Sequence, residues 1–128
     1  MSKNPNIAYK IENKSVWKQD LDKGKYEGST LDKKDGFIHL SSGLQLERTF
    51  LLHFGGQTDL IVAAIDLAQL GETVVWEESR GGELFPHIYG NLPVSAIIET
   101  MDIVYDGNGK ATIPINIHRH EANPENMS

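Results

Sequence analysis

Two short segments hold most of the side chains that can do chemistry: residues 37–42, FIHLSS, and residues 76–90, WEESRGGELFPHIYG. Side chains alternate along an extended chain, so His39 and Ser41 are expected to face the same way. Ser42 and Gln45 have the spacing of a capping box, which predicts a helix N-terminus immediately after the serines, a ready position for an anion. Together these features suit a sugar hydroxyl or a phosphate. The plainer alternative is a core histidine bonded to a backbone carbonyl, with Ser42 acting only as a cap. In the second segment two aromatics, three carboxylates, an Arg, a His and a Tyr crowd one strand–loop–strand. Glu77 leaves the end of a strand, where a carboxylate can serve as a general base or as the partner of a developing cation. His87 and Tyr89 share a face if the segment is extended, and Pro86 would pin that presentation. The alternative here is a packed turn with Trp76, Phe85 and Ile88 in the core.

The remaining histidines are less informative. His53 falls near the end of a predicted helix, where a cation suits the helix dipole. His118 and His120 stand two apart in a polar tail, a weak metal contact at most. Other chemistries lack their residues. There is no cysteine, hence no disulfide, thiolate nucleophile or Cys-ligated zinc. Gly55-Gly56 and Gly81-Gly82 lack the spacing of a phosphate loop or dinucleotide fingerprint, and neither a Gly-x-Ser-x-Gly elbow nor a His-Glu-x-x-His helix occurs. A net charge of −6 with no Lys/Arg stripe argues against nucleic acid. The longest apolar run, residues 60–65, is far short of the roughly 20 needed to span a bilayer. Behind Met1 no apolar core follows the first lysine, so a signal peptide is not expected. These readings point to a cytoplasmic protein without membrane attachment.

The elements that must position the two segments follow from pattern. The 128 residues suit one domain, and 39 % apolar content allows one modest core. Alternation over residues 7–11 predicts a first strand. Asn13 is placed to cap a helix that buries Val16, Trp17 and Leu21 and stops at Gly24. Residues 25–34 are polar and read as a loop, and residues 36–40 as a short strand. Leu46, Phe50 and Phe54 recur every four residues, the stripe of a second helix. Residues 60–65 read as a central strand buried on both faces, 67–70 as one helical turn, and 73–77 as a strand. Residues 96–105 are mostly extended. Asp106-Gly107 and Asn108-Gly109 predict a turn that returns 112–117 as a hairpin partner. With strands in the majority and two main helices early in the chain, the expected class is α+β with helices against a split or sandwiched β-sheet. The domain is expected to span residues 7–117, between flexible termini at 1–6 and 118–128.

The strings DGFIHLS at 35–41, Trp76-Glu77 and GELFPHIYG at 82–90, with Trp17, Gly24 and Tyr26, resemble the signature of the family called domain of unknown function 952, over about residues 7–114. That resemblance implies a fold similar to the ADP-ribosyltransferases, two small packed sheets with a cleft between them. Enzymes of that fold grip NAD and cleave its nicotinamide–ribose bond through an oxocarbenium-like transition state, which a nearby carboxylate stabilises. By this resemblance the catalytic candidates are Glu77, His39 and His87, with Glu78 and Glu83 as rival carboxylates. Ser41, Ser42, Trp76, Glu83 and Tyr89 are the substrate-binding candidates. NAD would be a substrate; no cofactor or metal is expected, and the expected partner is a small nucleotide-like ligand. Such enzymes commonly place Arg or His in the first strand, where this chain has Tyr9-Lys10-Ile11. That departure keeps open a non-catalytic binding module on the same scaffold, and a third reading in which His39 and His87 are only folding determinants.

Overall fold

The structure, a computed structural model, describes residues 5–113. Its centre is the apolar run foreseen at 60–65. Strand β4 (Leu60–Asp66) pairs antiparallel with β1 (Ile7–Asn13) on one edge and with β8 (Ile97–Asp102) on the other. From Leu60 to Ile65 no residue is more than 2 % exposed. Alternation then divides the core in two. Ile61, Ala63 and Ile65 join Trp17, Tyr26, Ile38 and Ile88 on one face, while Leu60, Val62 and Ala64 join Tyr9, Leu46, Phe50 and Ile103 on the other.

Helix α1 (Lys14–Asp22) starts where the Asn13 side chain accepts from the Ser15 and Val16 N–H groups, and it gives way to Gly24 at φ 94°. Trp17 is buried and Leu21 partly so, but Val16 stays 39 % exposed, just off the packed face. The stretch 25–34 is not a loop. It contains β2 (Lys25–Tyr26), paired with β7 (Leu92–Pro93), and leads into a further helix, α2 (Thr30–Asp35). Ser29 caps α2 in a reciprocal capping box with Asp32, and Gly36 closes it in the left-handed conformation at φ 90°. Among the described residues three α-helices therefore replace the two main helices expected. The third, α3 (Leu46–His53), buries Leu46 and Phe50, with Phe54 just beyond its end. Only half of the capping box expected at its start forms. The Gln45 carboxamide oxygen accepts from the Ser42 N–H at 3.0 Å, but Gln45 itself is the cap residue and makes no side-chain bond to the helix.

A second antiparallel sheet has the order β3 (Ile38–His39), β6 (Leu84–Ile88), β5 (Val74–Glu78). Among the described residues, backbone hydrogen bonds join the two three-stranded sheets at one place. Leu40 donates its N–H to Pro86 O in the second sheet, and the next residue, Ser41, exchanges backbone hydrogen bonds of 2.7 and 3.0 Å with Tyr9 in the first. The hairpin β9 (Val104–Tyr105) and β10 (Ala111–Thr112) ends the described chain. The architecture is mixed α+β, with small antiparallel sheets. His118, His120 and the tail at 118–128 lie outside the described residues. Among the described residues no helix is long and apolar enough to cross a membrane.

Candidate functional site

Register in the second sheet decides which of its side chains meet. His39 is paired with His87, and Ile38 with Ile88. Across the other edge of β6, Val75 is paired with His87 and Glu77 with Phe85. Alternation sends Ile38, Ile88, Val74 and Trp76 into the core, and leaves His39, His87, Glu77 and Phe85 on the opposite face. Hydrophobic burial of the one set thus presents the polar set.

On that face the Glu77 carboxylate is held twice. One oxygen accepts from the Tyr89 hydroxyl at 2.7 Å and lies 2.8 Å from His87 Nδ1. The hydrogen bond with His87, then that from Tyr89, holds the Glu77 carboxyl below the ordinary carboxylate range, and the same bond to Glu77 pushes the Tyr89 phenol up. Glu77 is 38 % exposed at its side chain, whereas His87 is nearly covered. The cover is Phe37, whose ring stacks on His87 with centroids 4.2 Å apart and also touches His39 and Tyr89. The two imidazoles meet edge-on at 5.3 Å.

His39 is tied into a second, deeper group. Its Nδ1 lies 2.6 Å from Asp32 Oδ1 and its Nε2 lies 3.0 Å from Asp35, so each ring nitrogen faces a carboxylate. Asp32, 2 % exposed, also accepts from Lys10 Nζ at 2.7 Å, from the backbone N–H groups of Ser29 and His39, and from the Tyr26 hydroxyl at 3.5 Å. Tyr26 in addition donates to Glu12. Burial on its own would raise the Asp32 carboxyl. The hydrogen bond with His39 and the charge and hydrogen bond of Lys10 outweigh it and hold the carboxyl well below its usual range. Burial and the neighbouring Glu12 carboxylate push the Tyr26 phenol far up.

Of the residues nominated from sequence, the fold brings His39, His87, Glu77 and Tyr89 together and separates the others from them. Ser41 is buried, with its hydroxyl 2.8 Å from that of Thr49 on α3, and Ser42 is buried beside it. Trp76 packs into the core. Glu78 ends β5 on the face opposite Glu77, and Glu83 lines a hollow of about 180 Å³ with Leu44, Gln45, Arg48 and Phe85, the cross-strand partner of Glu77. His53 occupies the last turn of α3. Sequence reasoning did not single out Lys10, Glu12, Tyr26, Asp32 or Asp35 for the cluster. Two signals were present: the Ser29-x-x-Asp32 capping spacing, and the four-residue separation of Asp35 from His39. Among the described residues no group of three His, Asp or Glu side chains is arranged to hold a metal.

A small α+β domain whose second sheet carries a histidine–carboxylate cluster on its outward face is the class these features define. The chain belongs to the family described as "Protein of unknown function (DUF952)", whose model matches residues 11–100, a span that holds every member of the cluster except Lys10. The crystal structure of protein CC0527 from Caulobacter crescentus is similar, at 38 % identity and TM-score 0.79, over 91 % of this chain and 99 % of that one. Its solution NMR structure matches at 38 % identity and TM-score 0.73, over 90 % and 96 %. No curated protein matches the chain.

Proposed function

We propose that the face formed by Glu77, His87, Tyr89 and His39 binds a ribosyl nucleotide such as NAD and cleaves its N-glycosidic bond, on a split-sheet scaffold of the ADP-ribosyltransferase kind. The observation that carries this reading is the state of Glu77: a carboxylate kept ionised, aimed by two hydrogen bonds, and still partly open to solvent. Breaking a C–N bond at a ribose sends the bonding pair to the nitrogen base and leaves positive charge on the sugar. A fixed anion beside that carbon favours the transition state over the ground state. Tyr89, 44 % exposed, offers a ring for stacking the base. His39 and Phe37 fix the floor. Water or an acceptor nucleophile completes the transfer. Incubating the protein with NAD and following nicotinamide release tests the proposal. The expected result is release by the wild type that Glu77→Gln abolishes; equal background from both proteins ends it for this substrate.

A second reading, binding without turnover, is favoured by two observations. Both ring nitrogens of His39 are occupied by carboxylates, and the first-strand cation, Lys10, is buried against Asp32. Calorimetry against NAD, ADP-ribose and nucleoside phosphates separates the two readings, since a binding module saturates without releasing nicotinamide. Unchanged affinity in His87→Ala would put the ligand elsewhere.

A further inference from the structure

We propose that the hollow beside Glu77 is a phosphate subsite, with Arg48 as its cation and Glu83 as an acceptor for sugar hydroxyls, so that the ligand is a nucleoside phosphate rather than a free nucleoside. The sugar chemistry at Glu77 rests on the function proposed above; the phosphate contact does not.

The hollow and the cluster share one sheet face. Its floor is Phe85, 5 % exposed, and Phe85 is the cross-strand partner of Glu77. Paired residues in an antiparallel ladder have Cα atoms about 5 Å apart, so a ligand with its ribose at Glu77 reaches the hollow within one sugar–phosphate length. The volume, about 180 Å³, is several times the ~30 Å³ share of one water and admits a phosphate group.

The lining chemistry is selective. Arg48 is exposed, makes no ion pair among the described residues, and is the cation that lines the hollow, on a chain of net charge −6. A free guanidinium presents the planar fork that matches phosphate oxygens. The wall beside it is preset: the Gln45 side chain donates to Leu84 O at 2.8 Å and accepts from Ser42 N–H at 3.0 Å. Glu83 stands on the rim, and as an acceptor-only group it repels a bare anion but takes hydroxyl donors. A rim of mixed sign therefore fits a molecule that carries phosphate and hydroxyls together.

The test is an NMR titration of isotope-labelled full-length protein with inorganic pyrophosphate, ADP-ribose and adenosine. Pyrophosphate and ADP-ribose are expected to shift the amides of Gln45, Arg48, Glu83 and Phe85 saturably, and adenosine to leave them in place. Arg48→Gln should weaken ADP-ribose binding at least tenfold, while Lys18→Gln, which removes an exposed charge on α1, should not. Saturable shifts confined to other parts of the chain, no saturation by either phosphate compound, or equal affinity in wild type and Arg48→Gln overturns the subsite. Arg48-dependent pyrophosphate binding without nicotinamide release would sink the ribosyl chemistry and leave the subsite standing.

Discussion

Tyr26, Asp32 and His39 form one polar trio, and Tyr89, Glu77 and His87 form another from the same chemical parts. In each, a phenol donates toward a carboxylate and an imidazole Nδ1 lies within hydrogen-bonding distance of it. The settings are opposite. Asp32 is 2 % exposed and Lys10 faces it, whereas Glu77 is 38 % exposed with no lysine or arginine paired to it among the described residues. A charge taken out of water needs a countercharge and a full set of donors, and the deep trio has both. A charge left at the surface needs only orientation. The deep trio is thus committed to holding α2 against β1 and β3. The outer one is held in place yet remains available to a ligand.

Breaking the deep trio should cost most. Asp32→Asn strands a buried lysine, and the expected loss is about 3–5 kcal/mol of folding stability by chemical denaturation. Adding Lys10→Met should recover part of that loss, because the unpaired charge leaves with its side chain. An acid titration sharpens the contrast. The Asp32 carboxyl sits lower in the folded state than its unfolded value of 3.8, so its contribution is complete above about pH 4 and is lost as pH falls through the folded value. Stability followed by circular dichroism should drop on that acid limb, and Asp32→Asn should flatten it. Removing the α1 cap with Asn13→Ala is expected to cost ~1 kcal/mol, read from the denaturation midpoint. Glu77→Gln stands last: its denaturation midpoint should match the wild type, since it removes a charge already open to solvent. A large stability loss there would mean that the outer trio is structural too.

The contrast also explains what the sequence made legible. The apolar run at 60–65, the Asn13 cap and the stripe Leu46, Phe50 follow from burial and local hydrogen bonding, and they appear in place. His39, Glu77, His87 and Tyr89 were legible because strand alternation alone puts them on one side of β3, β5 and β6. Helix α2 was not, because its burial is ionic. Asp32 enters the interior through pairing with Lys10 and His39, and no apolar period marks a carboxylate for that fate. The burial of Lys10 has the same ionic cause: both faces of β1 are covered, and its ammonium pairs with Asp32. Ser41 and Ser42 were assigned to the ligand side from spacing alone, and α3 packs over them.

The backbone joint at Tyr9 and Ser41 has a mechanical consequence. Among the described residues those two hydrogen bonds are the entire main-chain stitching between the three-stranded sheets. Resistance to sliding of one sheet past the other therefore falls on side chains: the apolar core the two sheets share, and the Lys10–Asp32–His39 tie, which runs from β1 through α2 to β3. His39 and His87 are paired within the second sheet, so slippage at the joint carries both imidazoles together relative to β1. The amide protons of Tyr9 and Ser41 are the gauges of this motion: their exchange with solvent reads the opening of the seam, and a ligand seated across both sheets would slow it.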